Sequence, residues 1–508
     1  MTGGEIQLAS YGAQDHYLTG NPQISFFKMV YRRYTNFSME SIVSYFDGND
    51  NLLLNTNITL MSKIQRIGDL ISKMYFVFEL PDIYSRSNNS TDYKFQWIKN
   101  IGTNIIDNVR VLLNGNIIDR HYGEWLNIWH EINLKSSEKQ SFNEMIGNVT
   151  ELYDPENAPG SFNSNGDKIY PTSDGSVPSI PGRKIYVPLP FWFSQNSGLA
   201  LPLLALQYTD LEVYIDLRPL NDLFTVIETN NLSPNFGKRV KPNENHNFGL
   251  FLKDPINVTN LDIKPYLESN FIFLDAEERN KFAGSEHNYL IQTVRRVNSS
   301  GHNNFANIKL ELQHPVKELI WIGKRDDISE RNDWNNYSNW IYEGNPSYRL
   351  ENYQRIYNYG NRENGGKFYP DPGDSNQDWQ NYTYLKEDII TDAKLLLNGM
   401  DRFDAKDSNY FKLIQPYQHY QNSVKNGIFL YSFSMNPDKF QPSGSCNMSR
   451  VNNISIQFNI NNPPTIPGID PNAETANRYY YQYDFNIYAV NYNVLKIMNG
   501  LGGLEFSN

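Results

Sequence analysis

The chain has 508 residues, a formal net charge of −11 and one cysteine, Cys446. This length suffices for two or more domains with complete cores. The negative net charge makes direct binding to nucleic acid a poor hypothesis. A single cysteine excludes an internal disulfide framework and a multi-cysteine zinc site. No apolar run reaches the roughly 20 residues of a membrane helix.

The first predicted element is a short amphipathic helix that follows the turn-forming residues 20–22. Its apolar residues recur at three- and four-residue spacing and so share one face; they are Ile24, Phe27, Val30, Tyr31 and Tyr34. Basic residues fall on or beside the opposite face, namely Lys28, Arg32 and Arg33. Because so short a helix is marginal alone, it is expected either to dock on its own domain or to serve as a docking arm for another molecule.

Residues 38–222 contain the short alternating apolar runs that are typical of strands. Asn114-Gly115 between two apolar runs is a strong hairpin signal. One short helix is predicted where Trp125, Ile128, Trp129 and Ile132 share a face. The polar residues 135–182 are predicted to be mostly exposed loop, and residues 223–247 a linker.

The second half, residues 248–508, repeats this order. Leu112-Leu113-Asn114-Gly115 returns as Leu396-Leu397-Asn398-Gly399, and the strands that follow each copy come in the same sequence. Several matches in one order predict two copies of one all-β unit. Many short strands per unit favour two consecutive eight-stranded jelly rolls, with short helices and long loop insertions. Residues 326–383, which lack aliphatic periodicity, are predicted to form a large surface loop.

The N-terminal segment resembles the signature of a known family. Residues 11–15, 17–24, 26–28 and 30–37 together are similar to the start of the major capsid proteins of nucleocytoplasmic large DNA viruses, which include algal and protist viruses and iridoviruses. The resemblance continues through shorter stretches to the end of the chain; these are 187–208, 273–279, 397–403, 441–450 and 491–504.

This resemblance implies a non-enzymatic structural role. It implies a double jelly roll that forms a homotrimer of six-sided outline. Such trimers would pack against neighbouring trimers and tile the icosahedral shell of a virion. Assembly would take place in the host cytoplasm. The expected further partners are minor capsid proteins and a lipid membrane beneath the shell. Residues 1–37 are then expected to be an inner-face arm that contacts them through its apolar stripe and basic side chains.

No catalytic, cofactor-binding or metal site is predicted. The pairs His130-Glu131 and Glu286-His287 are adjacent residues, and a structural histidine is the favoured interpretation of each. Cys446 has no nearby His or Lys in the sequence and is interpreted as an inert thiol. The glycines at 500–503 lack the strand–turn–helix context of a phosphate loop.

One alternative from another functional class remains open. Aromatic residues in the long polar loop could stack on sugars, which would fit a carbohydrate-binding or carbohydrate-cleaving β-sandwich; they are Trp334, Trp340, Tyr342, Tyr348, Tyr353 and Trp379. The same residues could equally pack the loop onto itself or a neighbour. A hydrolase would also need two carboxylates facing across a cleft, which the sequence cannot locate.

Overall fold

Antiparallel sheets make up most of the ordered chain. The computed structural model describes residues 2–25, 27–29, 31–85, 93–161, 170–173, 175–228, 239–243, 246–339, 388–420, 422, 424–425, 427–461 and 481–506. Within these ranges the strands form two successive units, each built from two facing sheets.

The first unit runs from residue 37 to residue 274. Its strands are β1 Phe37–Tyr45, β2 Leu52–Leu53, β3 Ile58–Lys63, β4 Leu70–Leu80, β5 Tyr93–Trp97, β6 Ile106–Leu113, β7 Asn116–Tyr122, β8 Arg183–Leu189, β9 Leu201–Pro202, β10 Leu211–Leu217, β11 Phe224–Glu228, β12 Arg239–Val240, β13 Asn260–Leu261 and β14 Tyr266–Leu274. One sheet has the order β1-β14-β4-β8, with β9 also paired to β4, and the facing sheet has the order β3-β10-β6-β7. Two small sheets, β12-β11-β5 and β13-β2, flank them.

The second unit repeats this arrangement. Its strands are β15 His287–His302, β16 Phe305–Lys309, β17 Pro315–Arg325, β18 Ile390–Leu397, β19 Met400–Asp401, β20 Lys406–Asp407, β21 Ile428–Ser432, β22 Cys446–Asn447, β23 Ile454–Ile460, β24 Tyr483–Met498 and β25 Leu501–Leu504. The sheet orders are β15-β24-β17-β21 and β16-β23-β18-β19, so each of these eight strands has a counterpart at the same position in the first unit. The short strands β22, β25 and β20 pair at the sides with β17, β24 and β18. Two four-stranded sheets per unit are the jelly-roll arrangement, and the predicted fold class is confirmed.

The repeated Leu-Leu-Asn-Gly motif occupies equivalent turns. Asn114 and Gly115 join β6 to β7, and Asn398 and Gly399 join β18 to β19, all four with positive φ. Such turns need residues that tolerate a left-handed backbone, which explains the Asn-Gly pair. Each asparagine also ties its turn to the neighbouring strand, because its Oδ1 accepts a hydrogen bond from a backbone N–H of Asp210 or Asn453 at 2.8 and 3.1 Å.

Short helices connect the strands. They are α1 Gly3–Ala9, α2 His16–Thr19, α3 Ile101–Asn104, α4 Gly123–Asn133, α5 Ser136–Met145, α6 Thr150–Tyr153, α7 Trp192–Gln195, α8 Ala276–Gly284 and α9 Gln415–His419, the last preceded by a π-helical turn at Tyr410–Ile414. The helix predicted around Trp125 is confirmed as α4. The two sheets of each roll enclose a separate apolar core, and a third apolar cluster joins α4 to the second roll.

The strand pairing corrects the predicted domain limits. Strand β14, predicted to belong to the second domain, lies between β1 and β4 in the first sheet. The predicted linker is also wrong in part, because Phe224–Glu228 is a strand paired with β5. In both units the last of the eight strands lies between the first and the third, so the first roll closes only at Leu274.

Two predicted loops contain more structure than their polarity suggests. Part of residues 135–182 forms α5 and α6, and Leu152, Tyr170 and Ile180 are buried. Residues 326–339 begin with a 3₁₀ turn and continue as a largely buried segment, so the predicted surface loop does not start at 326. Residues 340–383 of that loop lie outside the described part of the chain.

Candidate assembly surfaces

The N-terminal arm is exposed along its described length. Thr2 caps α1 with a capping box, and neither α1 nor α2 has a buried residue. The predicted helix over 24–34 is wrong for the described residues, which form turns and extended backbone there. Phe27 is 99% exposed, so the segment lacks the packing partner that a short helix requires.

The remaining predicted arm residues share this exposure. Ile24, Tyr31 and Tyr34 are 74%, 81% and 86% exposed. Lys28, Arg32 and Arg33 are also exposed and make no ion pair with any described residue. Val30 lies outside the described residues. These described side chains are therefore exposed in the single chain and do not form the predicted helix; their role in an assembly arm stays a prediction.

The arm leads directly into an apolar edge strand. β1 lies at one end of its sheet, and the alternate residues Phe37, Met39, Val43 and Tyr45 are exposed on one face. Tyr45 is 75% exposed and its ring lies 6.4 Å from that of Tyr266. Exposed apolar edge strands promote association between chains. We call residues 24–45 the N-terminal apolar surface.

A contrasting surface joins the two rolls. Trp125, Ile128 and Ile132 of α4 are buried against Ile320 and Ile322 of β17. The Trp125 ring lies 5.1 Å from the ring of Tyr488 on β24. We call this contact the junction; because the apolar face of α4 is filled by the same chain, it is unavailable to other molecules.

The junction also contains a buried charge. The Glu124 carboxylate accepts hydrogen bonds from Lys324 Nζ, and from Asn486 Nδ2 and Tyr488 Oη at 2.9 Å each. Burial alone would raise the pKa of Glu124, but the Lys324 ammonium and these hydrogen bonds together lower it. The charged pair thus fixes the first roll to the second at one point.

Residues 332–339 form a second bridge that sequence analysis missed. Asn332 Nδ2 donates to the backbone oxygen of Phe224 at 2.8 Å, and Asn335 Oδ1 accepts from Asn100 Nδ2 at 3.2 Å. Asn339 Oδ1 accepts from the hydroxyls of Tyr481 and Tyr483, each at 2.7 Å. Buried amides with such partners can stabilise a contact that no apolar pattern reveals.

The candidate sugar-binding aromatic residue Trp334 belongs to this bridge. Its Nε1–H donates to the backbone oxygen of Asp222 at 2.9 Å, and the Arg218 guanidinium lies 4.4 Å from its ring centre. Trp334 is partly buried and packs against the first roll, so its contacts within the chain account for it without a sugar. Trp340, Tyr342, Tyr348, Tyr353 and Trp379 lie outside the described residues.

The histidines considered in the sequence have structural contacts. His130 is buried, its Nδ1 lies 2.6 Å from the Leu126 backbone oxygen, and its ring stacks on Phe142 at 4.2 Å. His287 Nε2 lies 2.7 Å from the Phe282 backbone oxygen. Burial lowers the pKa of His130 to about 4, so this histidine is neutral at physiological pH.

Cys446 and the C-terminal glycines also occupy structural positions. Cys446 in β22 pairs with Val316, and partial burial raises the pKa of its thiol. Gly500 forms a positive-φ turn whose carbonyl accepts the Tyr208 N–H at 2.9 Å. In the described ranges, no three His, Cys, Asp or Glu side chains are grouped as a metal site would require, and no helix is both long and apolar enough to cross a membrane.

Comparison with known proteins identifies matches in both halves. Residues 25–249 match the family described as major capsid protein N-terminus, and residues 278–503 match the family described as large eukaryotic DNA virus major capsid protein. The major capsid protein of Phaeocystis pouchetii virus is 33% identical, and that of Paramecium bursaria Chlorella virus 1 is 30% identical. Both alignments cover 100% of this chain and 100% of the relative.

Solved structures of capsid proteins have the same fold as this chain. A chain of the PBCV-1 virus capsid is 25% identical and superposes with a TM-score of 0.64 over 95% of this chain and 100% of its own. The Faustovirus major capsid protein is 13% identical, with a TM-score of 0.61 over 96% of this chain and 94% of its own. The latter likeness bears on the fold alone.

Proposed function

The chain belongs to the major capsid proteins of large eukaryotic DNA viruses, and we propose that three copies of it form each capsomer of the viral shell. As a major capsid protein, it is a structural component of the virion. Three chains with two jelly rolls each would supply six similar units, which suits a block of hexagonal outline. Such blocks would then tile an icosahedral shell by contacts with neighbouring trimers.

The observation that supports self-association is the exposed apolar face of strand β1, the part of the N-terminal apolar surface that follows the arm. Within one chain the junction buries its apolar residues, whereas Phe37, Met39, Val43 and Tyr45 project outward from an edge strand. Obligate interfaces bury roughly 2,000–5,000 Å² and are rich in apolar side chains. Strand β1 supplies part of such an interface.

The trimer proposal is tested by light scattering on the purified chain. We expect a stable trimer at micromolar concentration, and we expect the double variant Met39→Lys/Tyr45→Lys to shift the population towards monomer. Tyr417→Lys is the control, because Tyr417 is also a strongly exposed aromatic residue, 88% against 75% for Tyr45, but lies on the second roll. A wild-type chain that stays monomeric in every condition would contradict the proposal.

For residues 2–35 we propose a role beneath the shell. The arm would join the trimer to minor capsid proteins or to a lipid layer on the inner side, with assembly in the host cytoplasm. Lys28, Arg32 and Arg33 support this, because each cation near an anionic surface contributes about 1 kcal/mol of binding. The exposure of Phe27 and its neighbours supports it as well.

Deleting residues 2–35 tests this role. None of the residues that the structure describes in this segment is buried, so we expect trimers of near-normal thermal stability that fail to form closed shells. Electron microscopy of assembly reactions and thermal unfolding of the trimer measure the two effects separately. A truncated chain that cannot fold or trimerise would show instead that the segment is part of the core.

A further inference from the structure

A cleft of about 490 Å³ lies between the two rolls, next to the junction's apolar cluster, against which its lining residues Tyr122 and Val294 also pack. Its walls are residues 117–122 of β7 and 293–296 of β15, together with residues 311–314 and Asn491 of β24. The Val294 N–H donates to Asp119 Oδ1 at 3.3 Å and so holds the two walls together. Ligand pockets in proteins have volumes of roughly 300–1,000 Å³, so the cleft can hold a small molecule.

Three arginines line this cleft: Arg120, Arg295 and Arg296. Among the described residues, none of the three forms an ion pair. The Arg296 guanidinium instead lies over the Tyr122 ring, 3.6 Å from its centre. In a chain with 56 acidic and 45 basic residues, three arginines around one cleft without a carboxylate partner are unexpected.

The acidic groups of the cleft do not neutralise these arginines. Asp119 Oδ2 lies 2.9 Å from His121 Nε2, and Glu311 Oε1 lies 3.5 Å from Lys309 Nζ. The cleft is therefore a local region of positive charge in an acidic protein, and such a region attracts anions.

Three buried polar atoms in the cleft wall also have no hydrogen-bond partner. Within the described chain they are Arg120 Nε, Asn491 Oδ1 and Asp119 Oδ2, although buried polar groups are normally satisfied. The Asp119 oxygen lies beside the His121 ring, whereas the arginine and asparagine atoms face no charged group of their own. Arg120 is also directly opposite Arg110 across β6 and β7, and only Arg110 has a carboxylate, Asp216 at 2.9 Å. Like charges directly opposite each other destabilise a sheet, and an anion beside Arg120 would offset this.

We propose that this cleft binds a small phosphorylated ligand that also has a hydroxyl group, such as a sugar phosphate. Guanidinium groups match phosphate oxygens with two parallel N–H donors, so Arg120 and Arg295 bind the phosphate. Asn491 Oδ1 accepts a hydrogen bond from the hydroxyl. Because β7 belongs to the first roll and β15 and β24 to the second, the ligand bridges the rolls and stabilises their relative position.

Calorimetric titration of the full-length protein, in the assembly state in which it purifies, tests the proposal. The probes are fructose 1,6-bisphosphate, inorganic phosphate and fructose at constant ionic strength. We expect saturable binding of the bisphosphate at one molecule per chain, weaker binding of phosphate and no binding of fructose. A charge-assisted hydrogen bond contributes about 1.5–3 kcal/mol, so Arg120→Gln or Arg295→Gln should weaken bisphosphate binding at least about tenfold.

Matched variants separate a built site from general charge attraction. Arg450→Gln removes one exposed arginine outside the cleft and should leave the affinity unchanged. Asn491→Ala should weaken binding of the bisphosphate but not of inorganic phosphate. Absence of saturable bisphosphate binding, or equal weakening by Arg450→Gln and Arg295→Gln, would overturn the proposal; Arg295 is exposed, so its variant is expected to fold.

Discussion

The junction and the N-terminal arm are similar in sequence and opposite in structure. Both have aromatic and aliphatic residues at helical spacing, around Trp125 in one and Phe27 in the other. At the junction the second roll covers the apolar face, and the segment is a helix of 11 residues. In the arm no described residue covers the apolar side chains, and the residues of 24–34 that the structure describes form no helix. Periodicity predicts a helix only where a partner is present.

The charges of the two regions differ in the same way. At the junction, Lys324 and Glu124 neutralise each other in a buried site with further hydrogen bonds. In the arm, Lys28, Arg32 and Arg33 remain exposed to solvent. Stability of the single chain therefore depends on the first region, and the second is available for contacts between molecules.

The largest expected effect follows from breaking the buried pair with Glu124→Ala. Removing one partner leaves the Lys324 ammonium buried without its counter-charge, which destabilises a protein by about 3–5 kcal/mol. The expected result is a loss of this size in the free energy of unfolding, measured by chemical denaturation of the same assembly state.

Glu131→Ala is the matched control, since Glu131 lies on the same helix and pairs with Lys139 at 2.8 Å. That pair is partly exposed, and such pairs contribute about 0–1 kcal/mol. If both variants lost the same free energy of unfolding, the buried Glu124–Lys324 pair would stabilise the protein no more than the partly exposed Glu131–Lys139 pair, which would contradict the prediction.

A smaller effect is expected from the titration of His130 beside the junction. Burial lowers its pKa in the folded chain to about 4, below the ordinary value of 6.5. Between these two pKa values the unfolded chain binds more protons than the folded one, so the free energy of unfolding falls as the pH falls from 6.5 to 4. Above pH 6.5 and below pH 4 the contribution of His130 no longer changes with pH. One pKa unit corresponds to about 1.4 kcal/mol, which gives a total of about 3 kcal/mol.

The variant His130→Gln isolates this contribution, because all other titrating groups are retained. Chemical denaturation of both proteins between pH 4 and 7.5 measures the difference of the two stability profiles. The free energy of unfolding of the wild-type chain should fall relative to that of His130→Gln as the pH falls from 6.5 to 4. Parallel profiles would mean that His130 is accessible to protons in the folded chain.

Much of the fold could be predicted because it depends on local patterns. Alternating strands, the Asn-Gly turns and the repeated order of elements identify two similar jelly rolls without any long-range information. The domain limit could not be predicted in this way, because β14 pairs with strands more than 180 residues earlier in the chain. Nothing in the local pattern of β14 specifies which roll it completes.

The sites show the same division. The sequence indicated the arm because a short segment of apolar and basic residues precedes the first predicted strand. The bridge at Asn332, Asn335 and Asn339 was missed, because buried amides have the same composition as a polar loop. The cleft of Arg120 and Arg295 was missed because its walls come from different rolls.

The smallest expected effect on the single chain comes from Phe27→Ala in the arm. The side chain is 99% exposed, so its removal opens no cavity. Surface substitutions of this kind usually change the free energy of unfolding by no more than about 0.5 kcal/mol. The buried counterpart is Phe95, fully enclosed and stacked on Phe224 at 5.0 Å, where the same substitution should destabilise by about 3–5 kcal/mol.

The two phenylalanines therefore separate folding from association. The unfolding temperature of Phe95→Ala should be far below that of Phe27→Ala. Electron microscopy should nevertheless show impaired shell formation by Phe27→Ala, although the stability of this variant is normal. The reason is that an exposed aromatic ring gains contacts only when another molecule covers it, at about 25 cal/mol per Å² of buried apolar surface. If Phe27→Ala lowered the unfolding temperature as much as Phe95→Ala, the arm would be packed against its own chain and the contrast between arm and junction would fail.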